Sequence, residues 1–386
     1  MVRVAVIGSG PGAMYTIKYL LKHCGKHLKH IDIFEKLKVP YGLVRFGVAP
    51  DHIEVKEVAK EFNDMLNKES DRVQLHMDSP IEDREGLDRL LNSYDTTILA
   101  TGAQSAHRLR FPVLPKYTMS AQNFVYWYNG HPEFQMIELP EAPRNVSIVG
   151  HGNVALDVTR ILSKSVEELL PLHKSGLLSP TAFEWLCARQ QLPGRLSVSI
   201  IGRRGYMDAA FTNKEFRELT VMKDAVCRID PSELDFSIEM LKERSSGNRA
   251  KSRGVPIVQK CLDNFKNDSS VKNLINMRFF TKPVEYSGDP VSSIAVETRN
   301  GLRESIPTDL GIESIGMKVS SADEFNLPVD EISGGIKHDG QGRVLGVPKL
   351  YVAGWSKRGP RGVIAANVPC CIQTADAIVE DLSKVV

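Results

Sequence analysis

Cysteine is scarce in this chain of 386 residues: Cys24, Cys187, Cys227, Cys261, Cys370 and Cys371 are all there are. No CxxC occurs, which leaves no zinc ribbon and no thioredoxin-type redox pair. Spacing this wide fits buried free thiols in a reducing compartment, not a disulfide framework. The neighbours Cys370 and Cys371 read as small buried residues on a helix, with a reactive pair as the alternative. Long apolar runs are missing too. Nothing approaches the roughly 18 residues needed to span a bilayer. The N-terminus is unlike a signal or transit peptide, because Val2-Arg3-Val4-Ala5-Val6-Ile7 already reads as a first core strand. A targeting segment is therefore expected to be absent, removed or of an unusual kind. Charge of one sign is not in excess: 49 Lys+Arg face 47 Asp+Glu, for a net charge of +2. That argues against a dedicated nucleic-acid binder and leaves room for a local patch. No solenoid repeat or long low-complexity tract is present.

What remains is ordinary globular material, 42% hydrophobic and 25% charged. The length allows two or three domains at about 100–200 residues each. Two stretches share one pattern. Val4-Ala5-Val6-Ile7 runs into Gly8-Ser9-Gly10-Pro11-Gly12-Ala13, followed by Met14, Ile17, Leu20 and Leu21. Val146-Ser147-Ile148-Val149 runs into Gly150-His151-Gly152-Asn153-Val154-Ala155, followed by Val158, Ile161 and Leu162. Each predicts strand, tight turn and helix. His30–Glu35, Thr96–Gly102, Leu196–Gly202 and Lys349–Gly354 read as further strands. The proline-bearing segment from Arg108 to Pro143 reads as a crossover between lobes, and Lys242 to Arg253 as an exposed polar loop.

The first turn fits G-x-G-x-x-[G/A] through Gly8, Gly10 and Ala13. Gly8 permits the turn, Gly10 leaves room for a pyrophosphate, and Ala13 allows close helix–strand packing. Amides at the helix N-terminus then face the phosphate charge. Glu35 ends the next strand, where a carboxylate can accept hydrogen bonds from a ribose diol. The second turn uses Gly150, Gly152 and Ala155. Its next strand ends in Gly202-Arg203-Arg204, and paired guanidiniums suit a 2′-phosphate. One acid-type lobe and one arginine-type lobe suggest FAD in the first and NADP(H) in the second, with hydride passing from nicotinamide to flavin.

Longer strings carry a resemblance. Gly8-Ser9-Gly10-Pro11, Glu35-Lys36, Val39-Pro40-Tyr41-Gly42-Leu43-Val44-Arg45-Phe46-Gly47-Val48-Ala49-Pro50-Asp51-His52, Gly152-Asn153-Val154-Ala155-Leu156-Asp157-Val158, Gly202-Arg203-Arg204-Gly205, Ala210-Phe211-Thr212, Lys214-Glu215 and Gly354-Trp355-Ser356-Lys357-Arg358-Gly359-Pro360 closely resemble the adrenodoxin reductase family of NADPH–ferredoxin reductases, from Val4 to about Leu382. The resemblance implies two Rossmann-like, doubly wound, three-layer α/β domains of the glutathione-reductase-like flavoprotein kind. An FAD domain of 1–105 and 322–386 would enclose an NADP domain of 106–321. Gly12, Glu35, Leu43 and Ile81 would line the adenine-dinucleotide part of FAD. Trp355 and the Gly362-Val363-Ile364 backbone would lie against the flavin, with Gly362 also approaching the nicotinamide. His151, Gly152, Asn153 and Val154 would cradle the NADP pyrophosphate, and Arg203, Arg204 and Glu215 would hold its adenosine end. His52 and Asp157 would sit by the flavin's reactive edge and relay or orient protons. No metal is implied.

The chain departs from the family pattern at Gly12-Ala13, where Ala-Gly is usual, and at Ala366-Asn367, where paired threonines are usual; it is also shorter than many members. An acidic [2Fe-2S] ferredoxin is the expected partner, steered by Lys242, Arg244, Arg249, Lys251 and Arg253. The family implies iron–sulfur cluster assembly or a cytochrome P450 downstream, and a mitochondrion or mitochondrion-derived organelle, with the cytoplasm as alternative. Two other readings stay open: an NADPH-dependent reductase of another protein subunit, and a non-catalytic FAD-binding scaffold.

Overall fold

The computed structural model describes residues 1–24, 27–234, 237–266 and 271–384. The chain forms two compact units. One comprises Met1–Val48, His52–Ala106 and Gly316–Val386; the other comprises Ala49–Asp51 and His107–Ile315.

The first unit is built on a parallel sheet in the order Leu350–Val352, Thr96–Leu99, Val2–Ile7, Leu28–Phe34, Val73–His76. Val4, Val6, Ile31, Ile33 and Ile98 are fully buried, as a parallel sheet covered on both faces requires. The helix Pro11–Cys24 opens with proline, whose fixed φ and missing N–H suit a first helical position. Its Ala13, Met14, Ile17 and Leu20 share one buried core with Ala375, Ala377 and Ile378 of the helix Asn367–Ser383. Each fully buried Ile or Leu there contributes roughly 1.5–3 kcal/mol. Cys370 and Cys371 lie buried on that last helix, and burial pushes the Cys371 thiol up to about 12.

The second unit has a parallel sheet in the order Thr118–Ser120, Leu310–Glu313, Asn145–Val149, Leu196–Ile201, Asn273–Arg278, Ala225–Ile229. An antiparallel meander, Lys282–Ser287, Ser293–Glu297 and Arg303–Pro307, packs its own small core around Tyr286, Ile294 and Val296. In both sheets the chain runs outward from the strand before the glycine turn, then returns to that strand's other side. That places a topological switch point at the end of Val2–Ile7 and another at the end of Asn145–Val149, where doubly wound sheets bind ligands.

Two segments differ from expectation. Arg108 to Pro143 is more than a crossover. It supplies the edge strand Thr118–Ser120 and the helix Ala121–Tyr128, whose Phe124, Val125, Trp127 and Tyr128 are buried in the second core. Flanking prolines mask that apolar spacing. Lys242 to Arg253 is largely helical: Ser237 caps the helix Ile238–Arg244, and a second helix runs over Arg249–Lys266. Its charges form the outer face, while Leu241, Val255, Val258 and Cys261 face inward.

Candidate functional site

The two glycine turns repeat one local geometry. Gly8 has φ of 94°, and a Cβ there would lie 2.8 Å from the Ala100 carbonyl oxygen. Gly150 has φ of 126°, and a Cβ there would lie 2.1 Å from the Ser314 carbonyl oxygen. Both turns demand glycine on conformation and on space. The next glycine in each, Gly10 and Gly152, would point a Cβ into open space with nothing within 4 Å. These are the cradles a pyrophosphate would fill at the first turns of the helices Pro11–Cys24 and Asn153–Ser163.

In the first unit, Glu35 follows the strand Leu28–Phe34 and is buried. Its carboxylate accepts from the Ser9 amide at 3.0 Å, the Ser9 hydroxyl at 2.5 Å and the Leu37 amide at 3.0 Å. Ser9 Oγ in turn accepts from the Tyr41 amide. The glycine turn's own serine thus aims the acid. A carboxylate offers about four lone-pair sites, so Glu35 keeps capacity for a ribose hydroxyl. Gly12 meets Gly354 so closely that a Cβ on Gly12 would sit 3.0 Å from the Gly354 Cα. This Gly–Gly crossing brings Trp355 to the helix N-terminus. Its indole Nε1 is buried and has no hydrogen-bond partner among the described residues. Leu43 begins the helical turn Leu43–Phe46, and Ile81 is half-buried. Gly362 and Val363 are exposed, with Val363 at 51%, and Ile364 is half-buried. Asn367 is buried, and its side-chain oxygen accepts from Arg358 at 3.1 Å. The open cradle at Gly10, the aimed Glu35 and the orphaned Trp355 N–H fit an adenine-dinucleotide flavin.

In the second unit, the His151 carbonyl accepts from the Ala210 amide, and the Asn153 side chain accepts from the Thr212 amide at 2.8 Å. The segment 210–212 is thereby tied to the glycine turn. The His151 ring turns inward. It packs against Gly202, lies edge-on to Phe279 with centroids 4.7 Å apart, and its Nε2 donates to the Ile200 carbonyl. Burial, outweighing that hydrogen bond and helped by the Arg204 charge, holds the imidazole down at about 4. A ligand at this turn would therefore meet the His151 backbone, not its ring. Val154 is exposed. Arg203 and Arg204 are exposed at the end of Leu196–Ile201 and pair with no carboxylate among the described residues. Glu215 is buried in the helix Asn213–Thr220, and its Oε2 has no hydrogen-bond partner among the described residues. Free guanidiniums, an unfilled cradle and a carboxylate oxygen in want of a donor fit NADP.

Asp157 lies on the helix Asn153–Ser163 and accepts from Arg160 at 2.8 Å. Arg160 is buried and also binds Asp51 through two bonds of 2.6 and 2.9 Å, with Glu218 at 3.0 Å. Burial opposes its charge, but hydrogen bonds to Asp51 and the nearby carboxylates outweigh burial and raise the guanidinium above its ordinary value. Asp157 is thus a fixed anion in a charged cluster. His52 is half-buried and precedes the helical turn Ile53–Lys56, where its carbonyl accepts from Val55 and Lys56. Sequence reading missed Ser9 and Arg160. The i,i+3 spacing of Asp157 and Arg160 on one helix was the available signal for the latter. Lys251 also differs from a free docking charge: its ammonium donates to the Tyr206 and Ala209 carbonyls at 3.0 and 2.7 Å.

The pyridine nucleotide-disulphide oxidoreductase family matches residues 2–192. NADPH-ferredoxin reductase FprA of Mycobacterium tuberculosis is 33% identical over 401 residues, covering 99% of this chain and 84% of the relative. The mitochondrial NADPH:adrenodoxin oxidoreductase of Mus musculus is 34% identical over 402 residues, covering 98% and 78%. The solved structure of Mycobacterium tuberculosis FprA in complex with NADPH superposes with a TM-score of 0.89 at 32% identity, covering 99% of this chain and 85% of that one.

Proposed function

Because the chain belongs to the family of NADPH-ferredoxin and NADPH:adrenodoxin reductases, we infer that it is an FAD-dependent oxidoreductase that takes a hydride from NADPH and passes single electrons to a ferredoxin. Bound FAD supplies the exchange between a two-electron donor and a one-electron acceptor. The observation that carries the reading is the contrast between two strand ends: a buried, aimed carboxylate at Glu35 and two exposed, unpaired guanidiniums at Arg203 and Arg204.

Glu35 and the Gly10 cradle would hold the adenine-dinucleotide part of FAD, and Trp355 would lie against the flavin, whose polar atoms could take up its orphaned N–H. Arg203 and Arg204 select NADPH over NADH through the 2′-phosphate, and Glu215 takes a hydrogen bond from the adenosine end. Asp157, anchored by Arg160, orients protons as a standing negative charge, and His52 relays them. The acceptor is an acidic [2Fe-2S] ferredoxin, which docks on the exposed Lys242, Arg244, Arg249 and Arg253. Iron–sulfur cluster assembly or a cytochrome P450 consumes the electrons. Among the described residues no helix is long and apolar enough to cross a membrane. The compartment is a mitochondrion or mitochondrion-derived organelle, with the cytoplasm as the alternative that the bacterial relatives support.

Purified protein is expected to be yellow, to bleach much faster with NADPH than with NADH, and to reduce cytochrome c only when ferredoxin is added. A bound flavin that NADPH leaves oxidised would reject the enzyme. Reduction of cytochrome c without ferredoxin would reject the partner.

A further inference from the structure

The second unit's sheet has another end. Opposite its glycine turn, where the strands Asn145–Val149, Leu196–Ile201, Ala225–Ile229 and Asn273–Arg278 begin, lies a cavity of about 240 Å³. The strand Asn145–Val149 separates it from the cofactor cradle by about 16 Å, at ~3.3 Å per residue. Arg144, Arg189, Lys272 and Asp224 are the charged residues of its lining.

Arg189 is only 6% exposed. One of its nitrogens, Nη2, donates to the Leu162 carbonyl, capping the end of the helix Asn153–Ser163. Its Nε is buried and has no partner among the described residues. No described carboxylate pairs with this guanidinium. Burial pushes it down to about 10, and the charge of Arg144 pushes the same way. A helix-capping role uses one of five N–H donors and leaves the charge unneutralised. Arg144 makes one long side-chain contact, 3.5 Å to the Leu192 carbonyl. Lys272 is exposed and forms no ion pair among the described residues. The single acid, Asp224, forms none either. Three cations from separate segments therefore converge on one cavity against one carboxylate. An unpaired buried charge is costly, and the arrangement lacks an anion.

We propose that this cavity is an anion site that binds a phosphate group, free or carried by a small organic molecule. Two planar guanidiniums and an ammonium suit phosphate oxygens. A net lining charge of two positives matches the roughly −1.5 to −2 of a phosphate near neutral pH. The volume falls below the ~300 Å³ at which drug-sized ligand sites begin, which favours a small anion over a nucleotide.

The test is calorimetry on the FAD-loaded protein saturated with NADP⁺, titrated at constant ionic strength with orthophosphate, pyrophosphate or glycerol phosphate. Saturable binding of at least one is expected. Arg144→Gln and Lys272→Gln should each weaken it about tenfold, the loss of one charge-assisted bond. Arg203→Gln with Arg204→Gln should leave it unchanged. Because Arg189→Gln also removes a helix cap, the more exposed Arg144 and Lys272 carry the test. Glycerol phosphate bound as well as orthophosphate assigns the site to organic phosphates; orthophosphate alone assigns it to the free ion. No saturable binding, or binding lost with Arg203 and Arg204 but kept without Arg144 and Lys272, overturns the proposal.

Discussion

The two nucleotide units start from the same strand, glycine turn and helix, yet they diverge one strand later. In the first, the strand end is closed: Glu35 is buried and held by three donors. In the second it is open: Arg203 and Arg204 are exposed, and their guanidiniums pair with no carboxylate among the described residues. If Glu35 reads a ribose diol, as proposed, it gains from being oriented in advance by its neighbours. If Arg203 and Arg204 meet a 2′-phosphate, as proposed, they gain from staying solvated and unpaired until it arrives. The turns differ as well, since the second is the tighter fit around its first glycine.

Breaking the turns gives the largest expected effects. Gly150→Ala should destabilise its unit by about 3 kcal/mol or more, through positive φ and a Cβ set 2.1 Å from the Ser314 oxygen. Gly8→Ala should cost about 1–2 kcal/mol, its nearest contact being longer. Urea unfolding read separately in each unit checks the order; an equal or reversed cost would show that the turns are not the constraint described.

Next comes the open strand end. Arg203→Glu with Arg204→Glu should raise KM for NADPH by about 100-fold and leave NADH nearly unchanged, as two charge-assisted bonds are lost. Steady-state kinetics with both nucleotides decide it. Equal losses with the two donors would mean these arginines do not read the 2′-phosphate.

The inward ring of His151 gives the second unit a pH dependence. Its folded value of about 4 lies below the ordinary 6.5. Between those values the unfolded chain binds more protons, so this contribution is complete above pH 6.5 and is lost as pH falls toward 4. The loss should be on the order of 3 kcal/mol, and His151→Gln should flatten it. Thermal unfolding across that window measures both; an unchanged slope in the variant would exclude this ring as the source.

The smallest effects concern the outer helices. Charge reversal at Lys242, Arg244, Arg249 or Arg253 should raise KM for ferredoxin about threefold each and reduce its salt dependence. Lys251→Gln should instead lower the melting temperature and leave the salt dependence intact, because its ammonium braces Tyr206 and Ala209. A matching salt effect at Lys251 would place it in the docking face after all.

Local chemistry was legible along the chain. Both strand–glycine–helix units, the acid after one strand and the arginines after another depend on near neighbours and on the backbone demands of a turn, so residue order alone displayed them. The helices hidden between Arg108 and Pro143 and within Lys242–Arg253 were harder, because prolines and a solvated charged face obscured the apolar spacing that tertiary packing uses. Other features needed the folded chain. Ser9 aims Glu35 across 26 positions, Asp51 reaches Arg160 across 109, and Gly12 meets Gly354 from the far end of the sequence. The convergence of Arg144, Arg189 and Lys272 belongs with these. Long-range pairs of this kind are set by which strands lie side by side and which faces are buried, and in a single chain nothing in their spacing announces them.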